Sequence, residues 1–163
     1  MRFESEHEFA ASVERVAMLM SSPDFQAQLD LPDLSRPEVV THEVDGSNQL
    51  LELRYQYVGQ LDPIARRVVG NRTLTWIQVL QISATTGTGT LSFSAEEDAG
   101  RVNGAATVSI VPTDLGGSRR RIAGDFRIRI PVIGGTAERK IVPGLVRRLD
   151  VEADALSAAL AAG

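Results

Sequence analysis

Two histidines, two tyrosines and one glutamine are the side chains of this sequence best placed for chemistry. His7 alternates in step with Phe3 and Phe9, and His42 falls between Val40 and Val44. If the first two strands pair, the imidazoles meet and offer a general base or half a metal site. A metal needs further ligands, and no carboxylate stands at a recognisable spacing, so no metal site is assigned. Histidines flanked in this way are more often structural than catalytic, and no catalytic residue is assigned. Gln78 interrupts Leu74, Trp76, Leu80 and Ile82. A buried amide must find partners: a backbone carbonyl or a tyrosine hydroxyl is the commoner solution, a ligand's polar group the alternative. Tyr55 and Tyr57 either donate into a cavity or sit at a core edge with their hydroxyls in water. Glu138 reads as an acid favoured by a helix dipole, and the run Arg119-Arg120-Arg121 as a solvated hairpin end. No glycine-rich phosphate loop, Ser-His-Asp order or paired-carboxylate motif stands out, and no cofactor is implied.

The elements that position these residues follow from periodicity. "RFESEHEF" alternates, with Phe3, Ser5, His7 and Phe9 on one side and Arg2, Glu4, Glu6 and Glu8 on the other, as a half-buried strand does. Ser12 caps a helix with Val13, Val16, Ala17 and Met20 on one face, and Ser22-Pro23-Asp24 starts a second short helix. "LPDLSRPE" is a connection. Strands follow over Glu38–Val44, Gln49–Val58, Thr73–Ser83, Thr88–Ala95, Arg101–Pro112 and Ser118–Pro131, most of them separated by turn signals such as "VDGSN" and "TTGTG". "GQLDPIARRVVGN" carries a short helix capped by Asp62 and closed by Gly70, with Ile64 and Val68 on one face; it is either a lid or a plug.

The last strand sets Ile122, Gly124, Phe126, Ile128 and Ile130 against Arg121, Asp125, Arg127 and Arg129. Its basic face complements Glu4, Glu6 and Glu8, so the first and last strands should be neighbours, with Glu6 against Arg127 as the pair to test. After Thr136 a helical period brings Ile141, Leu145, Leu149, Leu156 and Leu160 into one stripe, with Val142, Val146 and Ala153 beside it. Pro143 inside that stripe costs about 3 kcal/mol in a straight helix, so a kink or restart is expected between Lys140 and Gly144. Gly104, Ala105, Ala106 and Gly124 have little side chain, which means close strand packing or bending first and ligand space second.

Composition narrows the function. A chain of 163 residues with 43% hydrophobic residues makes one domain spanning residues 1–163. Seventeen basic against 21 acidic residues leave a formal charge of −4, which argues against nucleic acid and anionic membranes as partners. The absence of cysteine excludes disulfides, thiolate nucleophiles and cysteine-bound metals. The acidic start and the lack of a long apolar run fit a soluble cytoplasmic protein. Lys140 is the sole lysine among the 17 basic residues, a bias of genome composition rather than of chemistry.

A strand, two short helices, six antiparallel strands and a long C-terminal helix resemble the START-like, helix-grip superfamily, which includes polyketide cyclases and pollen-allergen relatives. More narrowly, "RIPVIGGTAERKI", "SSPDF" and "LTW" resemble an uncharacterised bacterial family within it. The resemblance implies an α+β fold, a curved seven-stranded antiparallel sheet around the final helix, often with an apolar cavity between them. It transmits no catalytic residues. The expected binding residues are Tyr55, Tyr57, Trp76, Gln78, Phe93, Phe126, Ile141, Leu145 and Leu149, and the expected partner is a small apolar or amphipathic molecule. The alternatives are a cyclase- or dehydratase-type enzyme using His7, His42 or a tyrosine in the same cavity, and a protein-interaction module whose core is filled by its own side chains.

Overall fold

The structure is a computed structural model that describes residues 1–163, except for the side chain of Val68; the expected pairing of Val68 with Ile64 on one face lies outside the described residues. The elements are β1 (Arg2–Phe9), α1 (Val13–Met20), α2 (Pro23–Ala27), β2 (Glu38–Asp45), β3 (Asn48–Gln56), α3 (Pro63–Val69), β4 (Thr75–Ser83), β5 (Thr88–Ala95), β6 (Val102–Pro112), β7 (Ser118–Ile128) and α4 (Gly134–Ala162). The strands form one antiparallel sheet in the order β1-β7-β6-β5-β4-β3-β2. This is the α+β helix-grip architecture. No helix among the described residues is long and apolar enough to cross a membrane.

Local chemistry starts each helix where the capping residues stand. The Ser12 hydroxyl accepts from the Arg15 N–H at 3.2 Å, and Ser22 accepts from Phe25 at 3.3 Å. Asp62 accepts from the N–H groups of Ile64 and Ala65 at 2.9 and 2.8 Å, and Gly70 ends α3 at φ 70°, where a side chain would be strained.

The register of β1 on β7 places Glu4 opposite Ala123, Glu6 opposite Arg121 and Glu8 opposite Arg119. Arg121 reaches Glu4 at 2.8 Å, and Arg119 reaches Glu8 at 2.8 Å and Glu6 at 3.5 Å. The neighbourhood and its charge complementarity hold, but Glu6 does not face Arg127. That arginine lies across from Asn103 and 3.7 Å from Asp125, because β7 is longer than β1 and its far end pairs only with β6.

Between β6 and β7 the strands come too close for side chains at one point. A Cβ on Gly124 would lie 2.1 Å from the Ala105 carbonyl oxygen, and one on Gly104 would meet the Phe126 ring at 3.0 Å. The small residues therefore serve strand packing.

The chain passes from β7 to α4 across Arg129–Ile133. A Cβ on Gly134 would sit 2.2 Å from the Ile128 carbonyl oxygen, so only glycine fits where the helix leaves the strand. Glu138, one turn into α4, accepts the Ile128 N–H at 2.8 Å and ties the two elements together. That bond, with the nearby N-terminal ammonium, holds its carboxyl below the usual range against the effect of burial. The helix runs on through Pro143 without a restart. Pro143 cannot donate to the Arg139 carbonyl, but both residues are exposed, so water can take that carbonyl and the helix continues.

The core falls into two clusters. The larger joins α1, the inner faces of β1 and β4–β7, and α4, with Val16, Leu80, Ile122, Leu149 and Leu156 among its buried members. The smaller contains Leu31, Leu51, Leu53 and Tyr55, with Trp76 and Val151 packed against it. The helix α4 leans on β1 and β7.

Candidate functional site

On the flank of α4 away from β1, over the ends of β4 and β5, a cavity of about 440 Å³ opens between sheet and helix. Its walls draw on both core clusters: Phe93, Val102 and Phe126 from one side, Leu31, Trp76 and Val151 from the other. Ala65 and Val69 of α3 close one side, and the connection Leu31–Leu34 another. Asp62 and Lys140, 3.6 Å apart, link the start of α3 to α4 beside the cavity. The Asp62 carboxyl is held low by its cap bond to Ala65, with help from Lys140.

Of the nine expected binding residues, Tyr57, Trp76, Phe93, Phe126, Ile141 and Leu145 line this cavity; Tyr55, Gln78 and Leu149 do not. Leu149, 1% exposed, belongs to the packed core. Gln78 is buried between Leu53 and Phe93 of the adjoining strands, and its Oε1 has no partner among the described residues. Tyr55 stacks on Trp76 with centroids 5.8 Å apart, but its hydroxyl points to Arg148, whose Nη2 donates to it at 3.1 Å. Burial pushes the Tyr55 phenol above its ordinary pKa against the pull of Arg148. The Tyr57 hydroxyl donates to the Gln60 carbonyl at 3.2 Å.

The histidines do not meet. β1 and β2 form the two opposite edges of the sheet, His42 is exposed on the outer strand, and neither imidazole lines the cavity. Among the described residues no three His, Asp or Glu side chains gather where a metal could be held.

Behind the cavity lies a buried polar network that the sequence reading missed. Arg120, expected in solvent, is fully buried. Strand alternation puts residue 120 on the inner face with Ile122, and only Arg119 and Arg121 turn outward. Its guanidinium ion-pairs with Glu152 of α4 and also donates to the Leu149 carbonyl at 3.3 Å and to His7 Nδ1 at 3.2 Å. His7 Nε2 then faces Asp150 at 2.7 Å, so the neutral tautomer with its proton on Nε2 satisfies both contacts. Gln26 donates to the second oxygen of Glu152 at 3.1 Å. Burial disfavours the Glu152 anion, yet Arg120, Arg148 and the Gln26 amide together hold its carboxyl below the usual range.

The signal for this network was available. Arg148 and Glu152 stand four apart on α4, interleaved with Leu145, Leu149 and Leu156, so a helix that buries the leucines must bury both charges.

Comparison with known proteins agrees with this architecture. A family model described as "Protein of unknown function (DUF2505)" matches residues 4–160. No curated protein is significantly similar in sequence. Among solved structures, TTHA0849 from Thermus thermophilus superposes with a TM-score of 0.67 at 17% identity, over 100% of this chain and 99% of that one. The Zhui aromatase/cyclase from a Streptomyces species gives 0.66 at 14%, over 97% and 92%. A START superfamily protein from Mycobacterium smegmatis gives 0.55 at 17%, over 96% and 94%. At these identities the likeness is one of fold.

Proposed function

This chain belongs to the DUF2505 family and has the START-like fold, and from that premise we propose that it binds one small apolar or amphipathic molecule between the sheet and α4. The observation that carries this reading is the cavity. At about 440 Å³ it falls inside the roughly 300–1,000 Å³ typical of small-molecule sites. Its wall is chiefly aliphatic and aromatic, with Trp76, Phe93 and Phe126 facing Ile141 and Leu145 across the gap. Burial of an apolar ligand there draws on the same hydrophobic gain, about 25 cal/mol per Å², that builds the core.

An enzyme of cyclase or dehydratase type would need a proton carrier in the same space. Asp33 and Asp62 line the cavity, the latter engaged as the cap of α3, but neither histidine does and the Tyr57 hydroxyl is engaged with a backbone carbonyl, so the histidine and tyrosine versions of that enzyme find no support here. A module with a filled core is disfavoured by the cavity itself.

The test is native mass spectrometry of freshly purified protein, with organic extraction of whatever is released on denaturation. A stoichiometric apolar adduct is the expected result. A bare mass, joined to an unchanged Trp76 emission spectrum across a panel of apolar and amphipathic probes, would remove the binding reading.

A further inference from the structure

Two guanidiniums, Arg120 and Arg148, are buried beside a single buried carboxylate, Glu152. Arg120 takes that carboxylate in a direct ion pair. Arg148 is left with Tyr55: the hydroxyl accepts from Nη2 at 3.1 Å, and the ring centroid lies 5.0 Å from Cζ. Its Nε and Nη1 have no partner among the described residues. Arginine does not shed its proton inside a protein, and a buried cation that must share its one nearby anion, Glu152, with a second arginine carries a desolvation cost that a neutral phenol only partly offsets. Where the chain supplies one acid for two bases, a second acid is missing.

Arg148 is also part of the cavity wall, beside Trp76 and Val151. The other charges lining the cavity are Asp33, Asp62, Lys140 and Arg147. Asp62 and Lys140 are paired with each other, and only Arg148 is buried. The interior end of the cavity is therefore positive and its body apolar.

We propose that Arg148 is the anion subsite of this cavity and that the ligand is an apolar molecule ending in one carboxylate. This rests on the binding reading above and adds the head group to it. The chain or ring of the ligand lies along Trp76, Phe93, Phe126 and Ile141. The carboxylate takes two parallel N–H bonds from the guanidinium, the arrangement arginine offers and lysine does not. Such a pair on arginine uses Nη2 together with Nη1 or Nε; Nη2 is bonded to Tyr55 and the other two are covered in this structure, so the guanidinium turns off the Tyr55 ring to meet the ligand. Tyr55 is stacked on Trp76, so that movement reaches the indole.

Trp76 is the sole tryptophan, and its fluorescence reads the cavity wall directly. Dodecanoate, dodecanol and methyl dodecanoate are titrated at neutral pH into the full chain and into R148M and R148K, with naphthylacetate against naphthylethanol as a matched aromatic series. In the unsubstituted protein the acid of at least one series should bind about tenfold or more tighter than its neutral partners, which is the effect of one good charge-assisted contact. R148M should bring that preference, the ratio of acid to neutral affinity within the same variant, below about threefold, and R148K should fall between. Equal binding of acid and neutral partners in the unsubstituted protein overturns the subsite and leaves the cavity reading standing. Binding of no probe in either series overturns both. A preference undiminished in folded R148M, or in R148K should R148M not fold, places the anion elsewhere and also overturns it.

Discussion

Glu152 is the residue on which the buried charges of this molecule depend. It neutralises Arg120, lies within electrostatic reach of Arg148 and accepts from Gln26. Glu152→Gln keeps the shape and removes the charge, leaving two buried guanidiniums with no anion. Loss of one member of such a network costs about 3–5 kcal/mol, read as a lower urea midpoint. The pH dependence has a fixed sign. The folded-state pKa of Glu152 lies below its unfolded value, so its contribution is present above the usual carboxylate range and is lost as pH falls through the depressed folded value. E152Q should be less stable near neutrality and should lose that acid-side limb. A variant that retains it assigns the limb to another carboxylate. Parity and helical spacing carry the signal that puts Arg120, Arg148 and Glu152 on buried faces, but the rule that charges belong outside reads Arg120 as solvated and hides such residues until the partner element is known.

Among the elements, α4 and β7 carry the clearest expectations. Pro143 interrupts one hydrogen bond on the exposed side of an otherwise continuous helix, and its ring is exposed. Pro143→Ala should therefore stabilise the protein by about 1–3 kcal/mol in thermal or urea melts. A loss of stability would mean that the proline fixes a bend the sheet requires. The β1–β7 charges offer a second check through a double-mutant cycle. Reversal of Glu4 and Arg121 should show a small, salt-sensitive coupling, and reversal of Glu6 and Arg127 none, because register keeps them apart. Most of the strands, the three caps and the β1–β7 neighbourhood were legible from alternation, capping residues and charge. The register was not, because it depends on where β7 overhangs β1, and the continuity of α4 was not, because the cost of Pro143 depends on whether water reaches Arg139.

At the scale of the whole molecule, the cavity opens where α4, nearest to β1 and β7, stands off the ends of β4 and β5. Nothing in periodicity fixes that lateral position. Six of the expected binding residues meet at the cavity because they share the inner face of the sheet or the facing side of the helix, whereas Tyr55, Gln78 and Leu149 share those faces but lie outside its wall. Ala65 of α3 is a small residue in the cavity wall, and Ala65→Trp should fill the space without touching the buried charges. Ligand at a hundredfold excess over Kd should stabilise the unsubstituted protein by about 2.7 kcal/mol and A65W by almost nothing, as a shift in melting temperature reports. Equal shifts in both would move the binding site away from α3.

The outer strand β2 carries a consequence for the behaviour of the protein in concentrated solution. Val39, Val40 and Val44 are 42%, 41% and 58% exposed along an unpaired row of backbone donors and acceptors, the template for edge-to-edge joining of sheets. What guards the row is a bulge between Val39 and Thr41 and the negative charges of Glu38, Glu43 and Asp45. Raised ionic strength screens those charges and weakens the guard with them. Light scattering should then rise with protein concentration while the fold is still intact, and Val40→Lys should suppress it. If V40K scatters as strongly, some other surface is the adhesive one.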